Sequence, residues 1–290
     1  MITKAVIPVA GLGTRMLPIS AVVPKCLLPL TDAAGRCRAA IHWLVAAARD
    51  AGVVEAAVVV SPAQHERLAC YFQAARGEAG YADADPPLPT LHFVVQDRPL
   101  GFGDAVLRAE PFVGRYPFLL LLGDYIHTWP SGAESCIAQV ARVFATHNPT
   151  AMIGMQPVGE ADLGRVGVAR GVPMANEDAE MIMPAPTIFR AVEFIEKPTP
   201  SEAHERLVTP GLPEGQFLAH AGIYAFTSEI FTPLSHVRPD EHGEISFAAA
   251  QRKLLERHPK DYLLCQIIGQ AHDLGHPAGY AAAQAALALR

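Results

Sequence analysis

The sequence predicts an α/β fold: a mainly parallel sheet with helices on both faces, plus a smaller β lobe inserted in the second half. Three observations predict it. Short apolar runs alternate with helical patterns as far as Met155. These runs are almost continuously apolar, as in strands buried on both faces. After Gln156 the rhythm changes to strand-like runs between Pro- and Gly-rich loops, and helical patterns return only near the end.

Each element has its own signal. Residues 2–9 form a β-branched, apolar run that ends in a glycine-containing loop, so a first strand is expected there. Helix periodicity follows over 39–51. The strand runs 53–60, 91–95, 118–122 and 150–155 then alternate with helical patterns over 63–76, 103–110 and 132–146. In the second half, strands are expected over 166–169, 191–195 and 217–226, and helices over 246–257 and 278–289. Residues 83–89 read as a loose surface loop, and 173–187, rich in Pro, Met and acidic side chains, as an exposed excursion. There is no internal repeat and no clean linker, so one domain over 1–290 is expected. Ligands of such sheets lie beyond the carboxyl ends of the strands. That rule puts residues 11–15, 96–103 and Gly123-Asp124 on one rim.

Composition narrows the function. Half the residues are hydrophobic and 18% are charged, which excludes wholesale disorder. The net charge is −6 with no basic block, which argues against a nucleic-acid partner held through its backbone. Five cysteines without a C-x-x-C pair read as reduced thiols of a cytoplasmic protein. No signal peptide is apparent at the start, and the apolar runs are too short to span a bilayer. Composition leaves homo-oligomerisation open.

The richest stretch is Ala5-Val6-Ile7-Pro8-Val9-Ala10-Gly11-Leu12-Gly13-Thr14-Arg15-Met16-Leu17-Pro18, followed by Pro24-Lys25-Cys26-Leu27-Leu28-Pro29-Leu30. Glycines let the backbone turn sharply and come close to a ligand. Successive N–H groups in such a turn make a concave anion site. Arg15 adds a fork for phosphate oxygens and Lys25 a point charge. A polyphosphate beyond the first strand is therefore expected. A third glycine of a dinucleotide fingerprint and the Gly-Lys-Ser/Thr of a Walker loop are both missing. Asp124, directly after an apolar strand and beside a glycine, is placed for a metal ion or a turn cap.

These two segments resemble the G-x-G-T-R-x-x-P and P-K-x-x-x-P-L signature of sugar-1-phosphate nucleotidylyltransferases, and most closely that of bacterial UTP–glucose-1-phosphate uridylyltransferases. The resemblance implies a Rossmann-like nucleotide-diphospho-sugar transferase fold and extends from residue 2 to about residue 287. Residues 1–156 would then be the nucleotide-binding half, and 157–290 the sugar-binding half with the C-terminal helices. No appended C-terminal domain is expected. The implied reaction is Mg²⁺-dependent attack of glucose 1-phosphate on the α-phosphorus of UTP, giving UDP-glucose and pyrophosphate. Arg15, Lys25 and Lys197 would be catalytic. Ala10, Gly11, Gly13, Thr14, Gln96, Gly101 and Gly103 would bind the nucleotide. Gly167, Glu196, Lys197 and Gly222 would bind the sugar phosphate. Asp124 and Asp273 would hold the metal.

The carry-over is residue by residue. Gln96 and Leu100-Gly101-Phe102-Gly103-Asp104-Ala105 resemble the family's base-reading glutamine and loop. An amide offers a donor and an acceptor, which suits uracil or thymine. Val192-Glu193-Phe194-Ile195-Glu196-Lys197-Pro198 resembles the V-x-E-K-P element, and His272-Asp273-Leu274-Gly275 the H-D-x-G segment. Asp273 could instead cap the last helix, and Lys25 could be a solvated surface lysine. The remaining histidines read as surface or packing residues.

Four departures stand out. Leu100 replaces a lysine, Asp104 a polar residue of histidine or threonine type, and Cys26 a Glu or Gln. Asp32–Arg38 replaces a D-K-P segment expected to border the nucleotide. Two alternatives therefore stay open: the same chemistry with dTTP, CTP or another hexose phosphate, and a catalytically weak nucleotide-sugar-binding regulator.

Overall fold

A computed structural model describes residues 1–75, 86–174 and 185–289. The chain opens with β1 (Lys4–Pro8), the short hairpin β2 (Pro29–Thr31) and β3 (Cys37–Ala39), then α1 (Ala40–Asp50). Next come β4 (Glu55–Val60), α2 (Pro62–Gln73), β5 (Thr90–Val95), α3 (Gly101–Leu107), α4 (Glu110–Val113) and β6 (Phe118–Leu121). The middle holds β7 (Tyr125–Thr128), α5 (Cys136–His147), β8 (Ala151–Gly159), β9 (Gly167–Pro173), β10 (Thr187–Glu196) and α6 (Pro200–Arg206). The chain finishes with β11 (Gln216–Phe226), α7 (Phe231–Leu234), α8 (Phe247–Arg257), β12 (Tyr262–Gln266), β13 (Gln270–Asp273) and α9 (Pro277–Leu287). Residues 76–85, which include the last residue of the expected helix 63–76 and 83–85 of the expected surface loop, and residues 175–184 of the expected excursion lie outside the described residues; 86–89 carry neither helix nor strand.

One sheet in the order β5-β4-β1-β6-β11-β8-β12-β10-β9 runs through both halves. The α/β class is as expected, but the sheet is mixed. β5, β4, β1 and β6 are parallel. β11 then enters antiparallel between β6 and β8, and β10 pairs antiparallel with both β12 and β9. The reason is connectivity. Helical crossovers in the first half return the chain to the same sheet end; in the second half β9 and β10 run opposite ways, α6 carries β10 into β11 without a change of direction, and α7 and α8 carry β11 into β12 with one.

Alternate residues of each strand feed opposite faces. Ala5, Ile7, Val58, Leu119 and Leu121 pack under α1, α2 and α5, while Val6, Val59, Phe118 and Leu120 pack under α3, α7 and α8. Both faces are thus covered, which is why these strands read as continuous apolar runs. Helix starts follow the side chains that cap them. Ser135 and Ser246 accept from the third backbone N–H of α5 and α8. Thr199 and Glu202 form a reciprocal capping box on α6. Helix α9 folds back on the β2–β3 hairpin, where Gln284 makes two hydrogen bonds with the Thr31 backbone, at 3.0 and 2.9 Å.

Two features aim this frame at one rim. β13 pairs antiparallel with β7, setting Asp273 opposite Tyr125. β11 carries an irregularity between His220 and Tyr224, where Gly222 takes φ 74°. Such bulges re-aim the chain beside functional sites.

Burial also sets an acid limit. His127 donates Nε2–H to the Ala221 carbonyl at 2.7 Å, and burial lowers its pKa from 6.5 to about 4. Burial lowers His220 likewise to about 4. As pH falls below about 6.5 the unfolded chain binds protons that the folded chain refuses. Stability should therefore decline from pH 6.5 towards pH 4, where the folded histidines protonate too. Urea midpoints measured across this range should fall in the wild type and fall less steeply in a His127→Gln/His220→Gln chain.

Candidate active site

The glycine loop begins as a continuation of β1, with Val9 N–H still bonded to the Val59 carbonyl at 2.8 Å. Gly13, at φ 66°, turns it into the 3-10 turn Thr14–Met16. A Cβ there would also stand 2.8 Å from Lys25 Cγ, so the bare glycine is the space through which the lysine stem passes. Lys25 starts a second 3-10 turn, Lys25–Leu27, behind Pro24. Its Nζ lies 2.5 Å from Asp124 Oδ2, and the two side chains are 17% and 25% exposed. Lys25 is therefore a held cation, not a solvated surface lysine. Gly123, before Asp124, has its Cβ position taken by Val9 and the Pro8 carbonyl.

The other two expected charges meet alongside. Arg15 Nη2 is 3.5 Å from Asp273 Oδ2. Asp273 Oδ1 accepts from Gly275 N–H at 2.6 Å, and Leu274 N–H donates to the Asp124 carbonyl at 2.8 Å. A side chain on Gly275 would meet the Arg15 guanidinium at 2.6 Å. His276, not Asp273, caps α9, accepting from Gly279 N–H at 3.0 Å. Arg15 and Lys25, from one end of the chain, thus each face one carboxylate from a different strand end.

A cavity of about 420 Å³ opens here, and Ala10, Gly11, Gly13, Thr14, Lys25, Gln96, Gly101 and Asp124 all line it. Gly103 does not. Its N–H donates to the Ile245 carbonyl at 3.0 Å, and that carbonyl fills the place of a Cβ. It serves packing, holding α3 against residues 244–245. Ile245 N–H in turn donates to Leu100 at 2.8 Å, so Glu244 reaches the cavity wall. Sequence reasoning missed Glu244, which no local pattern marks. Cys26 lines the floor, where burial pushes its thiol up to about 12 and keeps it neutral. The segment Asp32–Arg38 does not line this cavity, contrary to expectation. Asp32 accepts from Ala34 N–H, Arg36 N–H and Arg36 Nε–H, which ties the segment into a turn of its own.

The expected sugar side adjoins Tyr125. Gly222 stands against the Tyr125 ring, which leaves no room for a Cβ. Burial, then the charges of Asp273 and Asp124, hold the Tyr125 hydroxyl protonated well above its usual range. Gly167 lies between Glu196 and His220, with Glu196 Oε2 2.8 Å from its Cβ position. Desolvation raises the Glu196 carboxyl and Lys197 opposes the rise. His220 also touches the Phe194 and Tyr224 rings, a packing role as the sequence suggests. Lys197 is set apart: its side chain is 60% exposed, 3.9 Å from its neighbour Glu196, and it does not line the cavity. Tyr125 and Tyr224 were not singled out by sequence, although their places beside Asp124 and in the Gly222 bulge are the signal.

The two motif glycines should behave differently. Gly103→Ala must displace Ile245 and should lower the unfolding free energy by about 1–3 kcal/mol. Gly11→Ala has nothing within 4 Å of its Cβ and should leave stability within about 0.5 kcal/mol of wild type. Urea unfolding of both variants checks the contrast.

Comparison with known proteins places the chain in a family. The sequence profile of the nucleotidyl transferase family matches residues 4–289. UTP–glucose-1-phosphate uridylyltransferase YngB of Bacillus subtilis is 28% identical over 96% of this chain and 86% of its own length. A UTP–glucose-1-phosphate uridylyltransferase of Staphylococcus epidermidis is 28% identical over 96% of this chain and 90% of its own. Among solved structures, UDP-glucose pyrophosphorylase complexed with UDP-glucose superposes with a TM-score of 0.77 at 25% identity, covering 99% of this chain and 98% of that one. The chain belongs to the nucleotidyl transferase family.

Proposed function

We propose that the chain transfers the uridylyl group of UTP to glucose 1-phosphate, giving UDP-glucose and pyrophosphate. A phosphate oxygen of the sugar attacks the α-phosphorus; the new P–O bond forms as the bond to the bridging oxygen breaks, and pyrophosphate leaves. Charge neutralisation and alignment supply the catalysis, because no difficult proton transfer is needed. The observation that carries the reading is the convergence of Lys25, Asp124, Arg15 and Asp273 at one rim. The relatives' names support the choice of UTP and glucose 1-phosphate.

In this reading Arg15 lies against the β- and γ-phosphates, and Lys25 against the α-phosphate and the departing pyrophosphate. The loop Ala10-Gly11 and Gly13-Thr14 offers backbone N–H groups to the triphosphate. Gln96 and Gly101 take the base. Glu196 accepts from sugar hydroxyls, Lys197 pairs with the sugar phosphate, and Gly167 and Gly222 give the sugar close access to backbone. Residues 1–156 then serve the nucleotide and 157–290 the sugar. The carboxylates of Asp124 and Asp273 are hard oxygen donors and fit Mg²⁺. Among the described residues no three His, Cys, Asp or Glu side chains converge. Phosphate oxygens and water would complete the shell. When bound, the ion would neutralise phosphate charge.

Three outcomes follow. Lys25→Ala and Arg15→Ala should each fold normally and lose about 3–4 kcal/mol of transition-state stabilisation, read as kcat/KM. Near-normal turnover in both removes the assignment. Asp124→Asn should raise the Mg²⁺ concentration needed for half-maximal rate; an unchanged requirement moves the metal elsewhere. Pyrophosphate release across UTP, dTTP, CTP, ATP and GTP with glucose 1-phosphate should be fastest with UTP. A purine triphosphate in first place sinks the uridylyltransferase reading, whereas dTTP in first place changes only the nucleotide.

A further inference from the structure

Gln96 lines the cavity yet is only 6% exposed, so its amide has few choices. Its Nε2 lies 2.8 Å from Asp104 Oδ2 and 3.1 Å from the Gly101 carbonyl. Both partners are acceptors: a carboxylate and a carbonyl. They therefore fix the amide with its NH₂ turned inward and use both of its hydrogens. Asp104 is only 8% exposed, and its carboxylate is held from the other side by Arg108 Nε at 2.8 Å, one helical turn along α3. Arg108 is itself anchored to the Val95 carbonyl at 3.4 Å and to Asp97 at 3.6 Å. Among the described residues nothing donates to Gln96 Oε1, and that oxygen is not sealed from solvent. A glutamine that could offer either end to a base thus offers one, an acceptor.

We propose that Asp104, braced by Arg108, is a positioning residue that locks Gln96 as a pure acceptor and so makes the cavity select a pyrimidine with a ring N3–H. This rests on the nucleotide reading given above. Uracil and thymine carry that N–H between two carbonyls. Cytosine presents a bare ring nitrogen there, so two acceptors would face each other at N3, and its one donor on that edge, the 4-amino group, lies where uracil carries a carbonyl, off the line to the fixed oxygen. Without the carboxylate the amide could turn and give cytosine a donor. The neutral Gly101 carbonyl would still draw one hydrogen, so selectivity should weaken and not invert.

The test is calorimetric binding of UTP, dTTP and CTP to the full chain in Mg²⁺ buffer, for wild type, Asp104→Asn and Asp104→Ser. Either variant side chain can donate as well as accept. The UTP-to-CTP affinity ratio should fall about tenfold in the variants, the worth of one charge-assisted bond. The UTP-to-dTTP ratio should not move, because both bases carry N3–H. Should Asp104→Asn fail to fold, Asp104→Ser carries the same comparison. A ratio that survives in the folded variants overturns the inference and leaves the uridylyltransferase reading intact. So does an equal loss for all three nucleotides, which would mark Asp104 as merely structural. A wild type that binds purine triphosphates best overturns both.

Discussion

The rim of this molecule depends on four charges held together as two ion pairs. Lys25 pairs with Asp124 and Arg15 faces Asp273, so two cations from the N-terminal loops and two carboxylates from distant strand ends neutralise one another. Removing one member would leave its partner's charge uncompensated in a partly solvated place, a local cost that the fold can bear. Much of the surrounding construction serves that cluster. β7 and β13 pair so that the carboxylates come side by side, Gly13 makes way for the lysine stem, and Gly275 makes way for the guanidinium. Helix α9 and its hold on the β2–β3 hairpin tie the strand end bearing Asp273 to the segment that follows Lys25.

The same cluster explains how a site for polyanions can exist in a chain of net charge −6. The cations are stored as ion pairs. In the proposed reaction an incoming triphosphate would replace the carboxylates as partner of the lysine and arginine, and the carboxylates would be freed to hold Mg²⁺. The exchange conserves pairing, so neither set is stranded. In the proposed reaction the site thus trades internal pairs for ligand pairs at little electrostatic expense.

Much of this was legible in sequence, for a physical reason. Buried strands write themselves as apolar runs, and the motif residues Arg15, Lys25, Asp124 and Asp273 announce themselves by charge beside glycine or proline. What stayed hidden was long-range. The antiparallel entry of β11 and β10 has no local signature, since an apolar run reads the same in either direction. β12 and β13 carry no signal of their own because they are short, β12 coming soon after α8 and β13 only four residues after β12. Gly103 looked like a ligand-facing glycine, yet the deciding contact is Ile245, far along the chain. Asp32–Arg38 looked like a damaged ligand segment and proved to be a self-satisfied turn. Asp104 looked like a departure, and only its distances to Gln96 and Arg108 give it a purpose.

Lys197 extends the same logic to the sugar side. Among the described residues only Asn148 and Lys197 have positive φ without being glycine, at 46° and 51°. Asn148 ends α5 in a left-handed cap, a place asparagine tolerates. Lys197 has no such excuse, and a lysine there costs roughly 1–2 kcal/mol. Its backbone N–H donates to the Val166 carbonyl at 3.1 Å, which ties the strained residue to the end of the strand bearing Gly167. The bend swings Lys197 away from the direction of β10 just after Glu196, and its side chain remains exposed beside that carboxylate. A strained cation kept out of the core, next to a half-exposed carboxylate, is poorly explained by stability. In the proposed reaction a phosphate of the substrate would complete the pairing.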